Sequence, residues 1–291
     1  MIMEKKKVLF TGGTGFVGKN VIPFLKDDNI EIIAPTRAEL NLFDYEDVKN
    51  FVTNNRIQVV IHSANPNPVK NSIDESINMF KGSLEIFMNF YRLRDCYEKM
   101  LYIGSGAEYD KRYDIVSATE DQIGIYQPTD EYGFAKFIMN ELARKSENIY
   151  NLRLFACYGP YDFSTKFITH AITCCLNKEP LTIRQDCWFD YLHVYDFAKM
   201  LKYFIINTPK YHDYNICSGT RVKLSQIATM VIDQMQSDSK ILLLKEGMNK
   251  EYTADNTRLL KEFDWKSPIS LEEGIALQIE WEKKEYEKKS C

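Results

Sequence analysis

The stretch Val8-Leu9-Phe10-Thr11 running into Gly12-Gly13-Thr14-Gly15-Phe16-Val17-Gly18 constrains the chain more than any other. A short apolar run meets a glycine cluster and then reopens with apolar residues at helical spacing (Val17, Val21, Ile22, Leu25), which reads as strand, tight turn, helix. Gly12 permits the sharp turn, Gly15 lets a backbone approach an anion with no Cβ in the way, and Gly18 lets the helix pack close to the strand. The helix N-terminus adds free N–H groups and a partial positive charge. Such a turn suits the pyrophosphate of a dinucleotide, with Thr14, Phe16 and Val17 around it. Alone it would also match an ordinary strand-to-helix turn.

The rest of the chain repeats the unit. Strands are expected at 31–36, 59–64, 100–103 and 152–155, and helices at 45–55, 72–95 and 132–145. Helix 72–95 carries Ile73, Ile77, Phe80, Leu84, Phe87, Met88 and Tyr91 in a 3.6-residue rhythm. Strands apolar throughout and alternating with helices predict a doubly wound parallel sheet of Rossmann type, covered on both faces. Ligands of such sheets bind beyond the strand C-termini, so Gly12, Ser63, Ala64, Ser105 and Phe155 should face one crevice. Beyond Tyr158-Gly159-Pro160 the pattern loosens into a smaller C-terminal α/β lobe, with a strand-like run from Phe189 to Val194. The expected division is a nucleotide domain over 1–160, with about 189–208 returning to it, and a substrate lobe over 161–188 and 209–291.

Composition narrows the partners. Among 291 residues, 37 basic and 41 acidic side chains are interspersed, with a net charge of -4, so nothing argues for a nucleic-acid or membrane partner. No segment approaches the ~20 apolar residues of a membrane span, and no apolar leader precedes the first strand; a cytoplasmic protein is expected. Seven cysteines without a Cys-x-x-Cys fit reduced thiols, and with the four histidines they form no metal-ligand pattern.

At the ribose end, the second strand runs into Pro35-Thr36-Arg37. A guanidinium suits a 2′-phosphate, whereas an Asp there would repel it. NADP(H) is therefore favoured and NAD is the alternative, with Arg37 as a solvated or adenine-stacking residue in that case. Asn41 and Leu42 are expected to line the adenine site. At the reacting end, Tyr132-Gly-Phe-Ala-Lys136 sets a phenol and an ammonium one turn apart on a helix, where a fixed cation favours the ionised phenol. The same spacing recurs at Tyr195-Asp-Phe-Ala-Lys199, as chance allows in a chain with 18 tyrosines. Position separates the pairs: Tyr132 opens the helix after the strand that ends in Ser105, whereas Tyr195 follows the crossover to the second lobe.

Together, Thr11 to Gly18, Ser105 with Tyr109, Tyr132-x-x-x-Lys136, Arg153-Leu-Phe-Ala-Cys-Tyr-Gly-Pro160, Tyr191-Leu-His-Val-Tyr-Asp196 and Tyr214 to Gly219 resemble the extended short-chain dehydrogenase/reductases that act on nucleotide sugars. The resemblance covers essentially the whole chain. It implies a Ser105–Tyr132–Lys136 catalytic set, a nucleotide-sugar substrate and a homodimer paired through helices 72–95 and 132–145. The segment Thr36 to Asp44 is most similar to NADP-using GDP-fucose synthases and other keto-sugar reductases. Departures narrow the chemistry. Dehydratases of this group carry acid/base side chains directly after the Ser/Thr, where this chain has Gly106 and Ala107, and strand alternation makes Glu108 a poor stand-in. Ala107 also replaces the Cys used by GDP-fucose synthases for epimerisation, and Lys166 stands where their His would be. Phe189 replaces an Arg that often pairs the substrate diphosphate; Arg184, Arg221 and Arg258 are candidate replacements or plain surface residues. The expectation is an NADP(H)-dependent reductase of a nucleotide-activated 4-keto-6-deoxy sugar. The alternatives are a C4-epimerase that keeps NAD(H) bound and a non-catalytic dinucleotide-binding regulator.

Overall fold

Apolar runs become buried strands in the computed structural model, which describes residues 5–26, 29–66 and 78–290. In chain order the first half forms β1 (Lys6–Thr11), α1 (Phe16–Leu25), β2 (Ile30–Ile33), α2 (Tyr45–Asn54), β3 (Val59–His62), α3 (Met79–Tyr91), β4 (Lys99–Ser105), β5 (Ile115–Ala118), α4 (Glu131–Arg144) and β6 (Ile149–Leu154). The second half adds β7 (Ala156–Tyr158), α5 (Phe167–Asn177), β8 (Leu181–Asp186), β9 (Trp188–Phe189), β10 (Tyr191–His193), α6 (Val194–Ile206) and β11 (Asp213–Ile216). It ends with β12 (Val222–Lys223), α7 (Leu224–Met235), β13 (Ile241–Met248), β14 (Tyr252–Ala254), α8 (Thr257–Leu260) and α9 (Leu271–Ser290).

Six strands pair in the order β11-β6-β4-β3-β1-β2, every pair parallel. Alternation along each strand divides the core between the two faces. Val8 and Phe10, Val59 and Ile61, and Leu101 and Ile103 pack with α1 and α6, while Leu9, Val60, Met100 and Tyr102 pack with α2, α3 and α4. Each fully buried aliphatic or Phe side chain contributes about 1.5–3 kcal/mol. β2 and β3 flank β1 on opposite sides, so the crevice opens where the strand order reverses, beyond the C-terminal end of β1.

The fold is the doubly wound parallel sheet with a smaller C-terminal α/β lobe. Two details differ from the sequence division. The edge strand β11 comes from 213–216, inside the segment assigned to the substrate lobe, and pairs with β6. The strand-like run from Phe189 splits at Asp190 into β9 and β10, which join different sheets. Asp190 is fully buried, and its carboxylate accepts the Ser218 and Gly219 backbone N–H groups at 2.8 Å each, which turns it out of strand pairing. The lobe's own core joins α5, α7 and α9 through Ile168, Ile172, Ile227, Val231, Ile275 and Ile279. Of the helix expected over 72–95, the part before Asn78 lies outside the described residues. The described part packs on α4, with Phe80 stacked on Phe134 at 5.6 Å. It leaves Phe80, Leu84, Met88 and Tyr91 only partly covered within one chain. No helix among the described residues is long and apolar enough to cross a membrane.

Candidate active site

Besides α6, whose Tyr195 N–H is accepted by His193 Nδ1 at 3.3 Å, three of the helices on the large sheet begin with a side-chain cap. Asp44 accepts the Asp47 N–H at 3.0 Å, Asn78 that of Lys81 at 2.7 Å and Asp130 that of Gly133 at 3.1 Å, each worth about 1 kcal/mol. Helix α1 begins instead at Gly15, and no side chain caps it. Its first N–H groups open toward the crevice, as an anion site requires. Gly12 turns the chain at φ +74°, and a Cβ there would stand 3.1 Å from the Ala64 backbone. A Cβ on Gly18 would collide with the Gly13 carbonyl, so the glycine that lets the helix approach does so against the turn itself. Thr11 ties the ends of two strands together, its hydroxyl accepting the Ser63 and Ala64 N–H groups at 3.2 Å each.

One cleft of about 630 Å³ runs from this turn to the lobe. It is lined by Gly12, Thr14, Gly15, Phe16, Val17, Arg37, Asn41, Leu42, Ser63 and Ala64 at one end and by Ser105, Tyr132, Lys136 and Lys166 at the other. Gly18 lies just behind it. At the end beside the glycine turn Arg37 is the charged side chain that lines the wall; its guanidinium donates to the Pro66 carbonyl at 3.0 Å. Glu39 accepts the N–H and hydroxyl of Thr36 instead of lining the cleft, and those bonds hold its carboxyl below the usual range.

At the other end, Asp130 caps α4 just before Tyr132, fixing the phenol in the helix's first turn. One turn on, the buried Lys136 ammonium donates to the Ile103 carbonyl at 3.0 Å and stands 5.7 Å from the Tyr132 ring centre. Burial lowers the Lys136 pKa to about 8, against the pull of Glu108. Burial also pushes the Tyr132 phenol up to about 12, with a hydrogen bond to Ser105 opposing and Glu108 adding to the rise. Burial, not the Lys136 cation, therefore sets this phenol, which is shifted away from its ionised form rather than toward it.

Glu108 does not line the cleft. It is fully buried, accepts the Ser105 N–H at 2.9 Å and binds Arg153 Nε at 2.6 Å, so it holds the backbone of Ser105. Arg258 is engaged elsewhere, in ion pairs with Asp213 at 2.9 Å and Asp121 at 2.7 Å. Arg184 lies exposed on β8, and Arg221 pairs with Glu251 while its guanidinium stands 4.1 Å from the Trp188 ring centre. None of these three arginines lines the cleft. Tyr195 packs on Phe24 at 5.8 Å and Lys199 binds Asp196 at 2.8 Å, also outside it. Sequence reasoning missed Lys111, Asp162 and Tyr252, which do line the cleft. Asp162 stands near Lys166, and burial pushes its carboxyl up to about 7. None of the three sits in a spacing pattern that would mark it.

The chain can thus hold a dinucleotide along an uncapped helix and present a protonated phenol, a hydroxyl and an ammonium at its far end. Comparison with known proteins agrees. GDP-L-colitose synthase from Yersinia pseudotuberculosis is 25% identical over 93% of this chain and 96% of its own length. The dTDP-glucose 4,6-dehydratase of Shigella flexneri is 22% identical over 94% of this chain and 92% of its own length. The crystal structure of a GDP-L-fucose synthetase from Naegleria fowleri bound to NADP superposes with a TM-score of 0.85 at 18% identity, covering 99% of this chain and 95% of that one. The model of the NAD dependent epimerase/dehydratase family matches residues 8–217, about seven-tenths of the chain, and with the cleft that these residues build it shows that the chain belongs to that family of NAD(P)-dependent enzymes.

Proposed function

We propose that the protein is an NADP(H)-dependent reductase of a nucleotide-activated 4-keto-6-deoxy sugar. The observation that carries this reading is that Tyr132 and Ser105 line the cleft's far end together, with no acid/base side chain on Gly106 or Ala107 and with Glu108 locked to Arg153. Reduction of a carbonyl needs a proton donor and an oxygen-polarising hydroxyl, which are present. Dehydration needs further acid/base groups directly after Ser105, which are not. Tyr132 gives its proton to the carbonyl oxygen while Ser105 donates a hydrogen bond to it. Lys136 holds the nicotinamide ribose, the glycine turn and the α1 N-terminus hold the pyrophosphate, and Arg37 faces the adenine ribose. The bound nicotinamide supplies the hydride. Lys111 and Lys166, the cations of the lobe side, face the substrate's diphosphate. The relatives named for GDP-L-colitose and GDP-L-fucose support a nucleotide-linked sugar.

The test is to mix the purified protein, NADPH and a nucleotide-linked 4-keto-6-deoxy sugar. Stoichiometric NADPH consumption is expected; retained NAD(H) without net consumption would replace the reading by a C4-epimerase.

Cofactor choice has its own test. Arg37→Ala should weaken NADPH binding by about 1–3 kcal/mol, the scale of a charge-assisted contact, and leave NADH binding nearly unchanged. Equal weakening of both in calorimetry would mean that Arg37 does not read the phosphate.

Lys136 carries a stability signature as well. Its folded-state pKa is depressed, so the folded state holds the proton less tightly than the unfolded chain, and stability from this group rises with pH between about 8 and its ordinary value. Near neutrality the buried charge costs stability. Lys136→Met should therefore raise the melting temperature of the cofactor-free protein at pH 7 by a few degrees while weakening cofactor binding. Cofactor affinity of the unaltered protein should fall as pH rises through about 8. A lower melting temperature in the variant would show that the ammonium's bond to Ile103 outweighs its desolvation.

A further inference from the structure

Cations line the cleft at both ends, Arg37 at one and Lys111, Lys136 and Lys166 at the other, but among the described residues that line it Asp162 is the one acid. The reaction proposed above gives it no part. Asp162 is half-buried on the loop between β7 and α5, and it lines the cleft with its chain neighbours Phe163 and Phe167 and with Cys157 and Tyr191, a largely apolar surrounding. Its Oδ1 accepts the Phe163 N–H at 2.9 Å, and among the described residues no cation pairs with it. Lys166, the N-cap of α5, lies exposed. Burial accordingly pushes the Asp162 carboxyl up to about 7, against the pull of Lys166.

The loop holds this side chain still. Its backbone is strained, with Gly159 at φ +148° and Tyr161 at φ +63°, conformations that persist only where the surroundings enforce them. Two helices do so. The buried Asn20 of α1 donates through Nδ2 to the Pro160 carbonyl at 2.6 Å. The Tyr161 ring lies between Lys19 of α1, whose ammonium is 5.1 Å from its centre, and the Trp281 ring of α9 at 4.3 Å. The helix that begins at the glycine turn thus also fixes the loop that carries Asp162.

A carboxylate in an apolar wall is costly unless a hydrogen-bond donor meets it, and it repels phosphate. We infer that Asp162 determines substrate specificity by accepting a hydrogen bond from a ring hydroxyl of the bound sugar. Lys111 and Lys166 face the diphosphate, and Asp162 reads the sugar attached to it. A hydroxyl there supplies the carboxylate with its partner. A sugar lacking that hydroxyl leaves the carboxylate desolvated and unpaired, the arrangement that discriminates most strongly between a hydroxyl and a hydrogen.

This inference rests on the sugar-reductase reading above, and its test separates the two. Rates with a nucleotide-linked 4-keto-6-deoxy sugar and with its 2-deoxy and 3-deoxy counterparts are compared in the unaltered protein, Asp162→Ala and Asp162→Asn. Asp162→Ala should lower kcat/KM ~10- to 100-fold for the fully hydroxylated sugar, the range of a hydrogen bond to a charged group, while one of the two deoxy counterparts stays within about twofold. Asp162→Asn keeps an acceptor without the charge and should lie between. NADPH affinity and inhibition by the free nucleoside diphosphate should stay within about twofold of the unaltered values, which also shows that the variants are folded. Equal losses on all three sugars, or no loss on any, overturn the inference. So does a loss shared by NADPH or by the free nucleoside diphosphate, since it sets Asp162 against the cofactor or the nucleotide. Should the protein consume no NADPH but interconvert C4 epimers of a UDP-sugar, the reductase reading fails; that sugar and its deoxy counterparts then enter the same comparison, and the same patterns support or overturn the role of Asp162.

Discussion

Tyr132→Phe should slow carbonyl reduction by at least ~10²-fold, the low end for a positioned general acid, while cofactor binding and fold persist. The ring and its packing remain, and only the proton donor is lost. Burial pushes this phenol up to about 12, so at neutral pH it is held in the form a reductase needs at the start of the cycle. Tyr195→Phe should leave turnover within about twofold, since Tyr195 packs on Phe24 away from the cleft. Stopped-flow NADPH oxidation reads both. Near-normal hydride transfer in Tyr132→Phe would remove the assigned donor, and a large loss in Tyr195→Phe would show that the second Tyr-x-x-x-Lys pair reaches the reacting centre.

What the sequence made legible in this site is what local spacing encodes. The glycine turn is a run of adjacent residues, and Tyr132 and Lys136 share one helical turn, so both could be read without the fold. Ser105 followed from its place at the end of an apolar strand. The neighbours that set the chemistry were not legible, because they are contacts between distant segments. Tyr252 meets Gly106 across 146 positions of chain, Glu108 meets Arg153 across 45, and Arg258 meets Asp213 across 45. The same limit explains why Arg258 could be read either as a substrate contact or as a surface residue, and 189–194 as one strand: an arginine's partner and a buried Asp190 carboxylate are set by tertiary structure. The pKa expectation for Tyr132 erred for a related reason. Spacing showed the nearby cation, but the burial that raises the phenol's pKa depends on what closes over it.

The largest effect on stability is expected behind Ser105. Arg153 is fully buried and binds Glu108 at 2.6 Å, Asp213 at 2.9 Å, and the side-chain oxygens of Asn140 and Asn215 at 2.8 and 3.0 Å. Arg153→Met fills the volume but leaves buried carboxylates without their cation, a loss of about 3–5 kcal/mol. Asp213 keeps Arg144 and Arg258, so the damage concentrates on Glu108. Burial already pushes the Glu108 carboxyl above the usual range against the pull of Arg153; without that guanidinium it rises further. The folded variant then binds a proton that the unfolded chain releases, so its stability falls as pH rises from the unfolded carboxylate value toward the raised folded one. The cost of Arg153→Met should accordingly be smaller at pH 5 than at pH 7.5 in urea unfolding, and Glu108→Gln in the same chain should recover part of it. A cost independent of pH and unrelieved by Glu108→Gln would mean that lost packing, not the stranded carboxylate, is what destabilises the variant. Because the Glu108 carboxylate also accepts the Ser105 N–H at 2.9 Å, Arg153→Met protein that remains folded should reduce its substrate more slowly as well, through a serine no longer held in place.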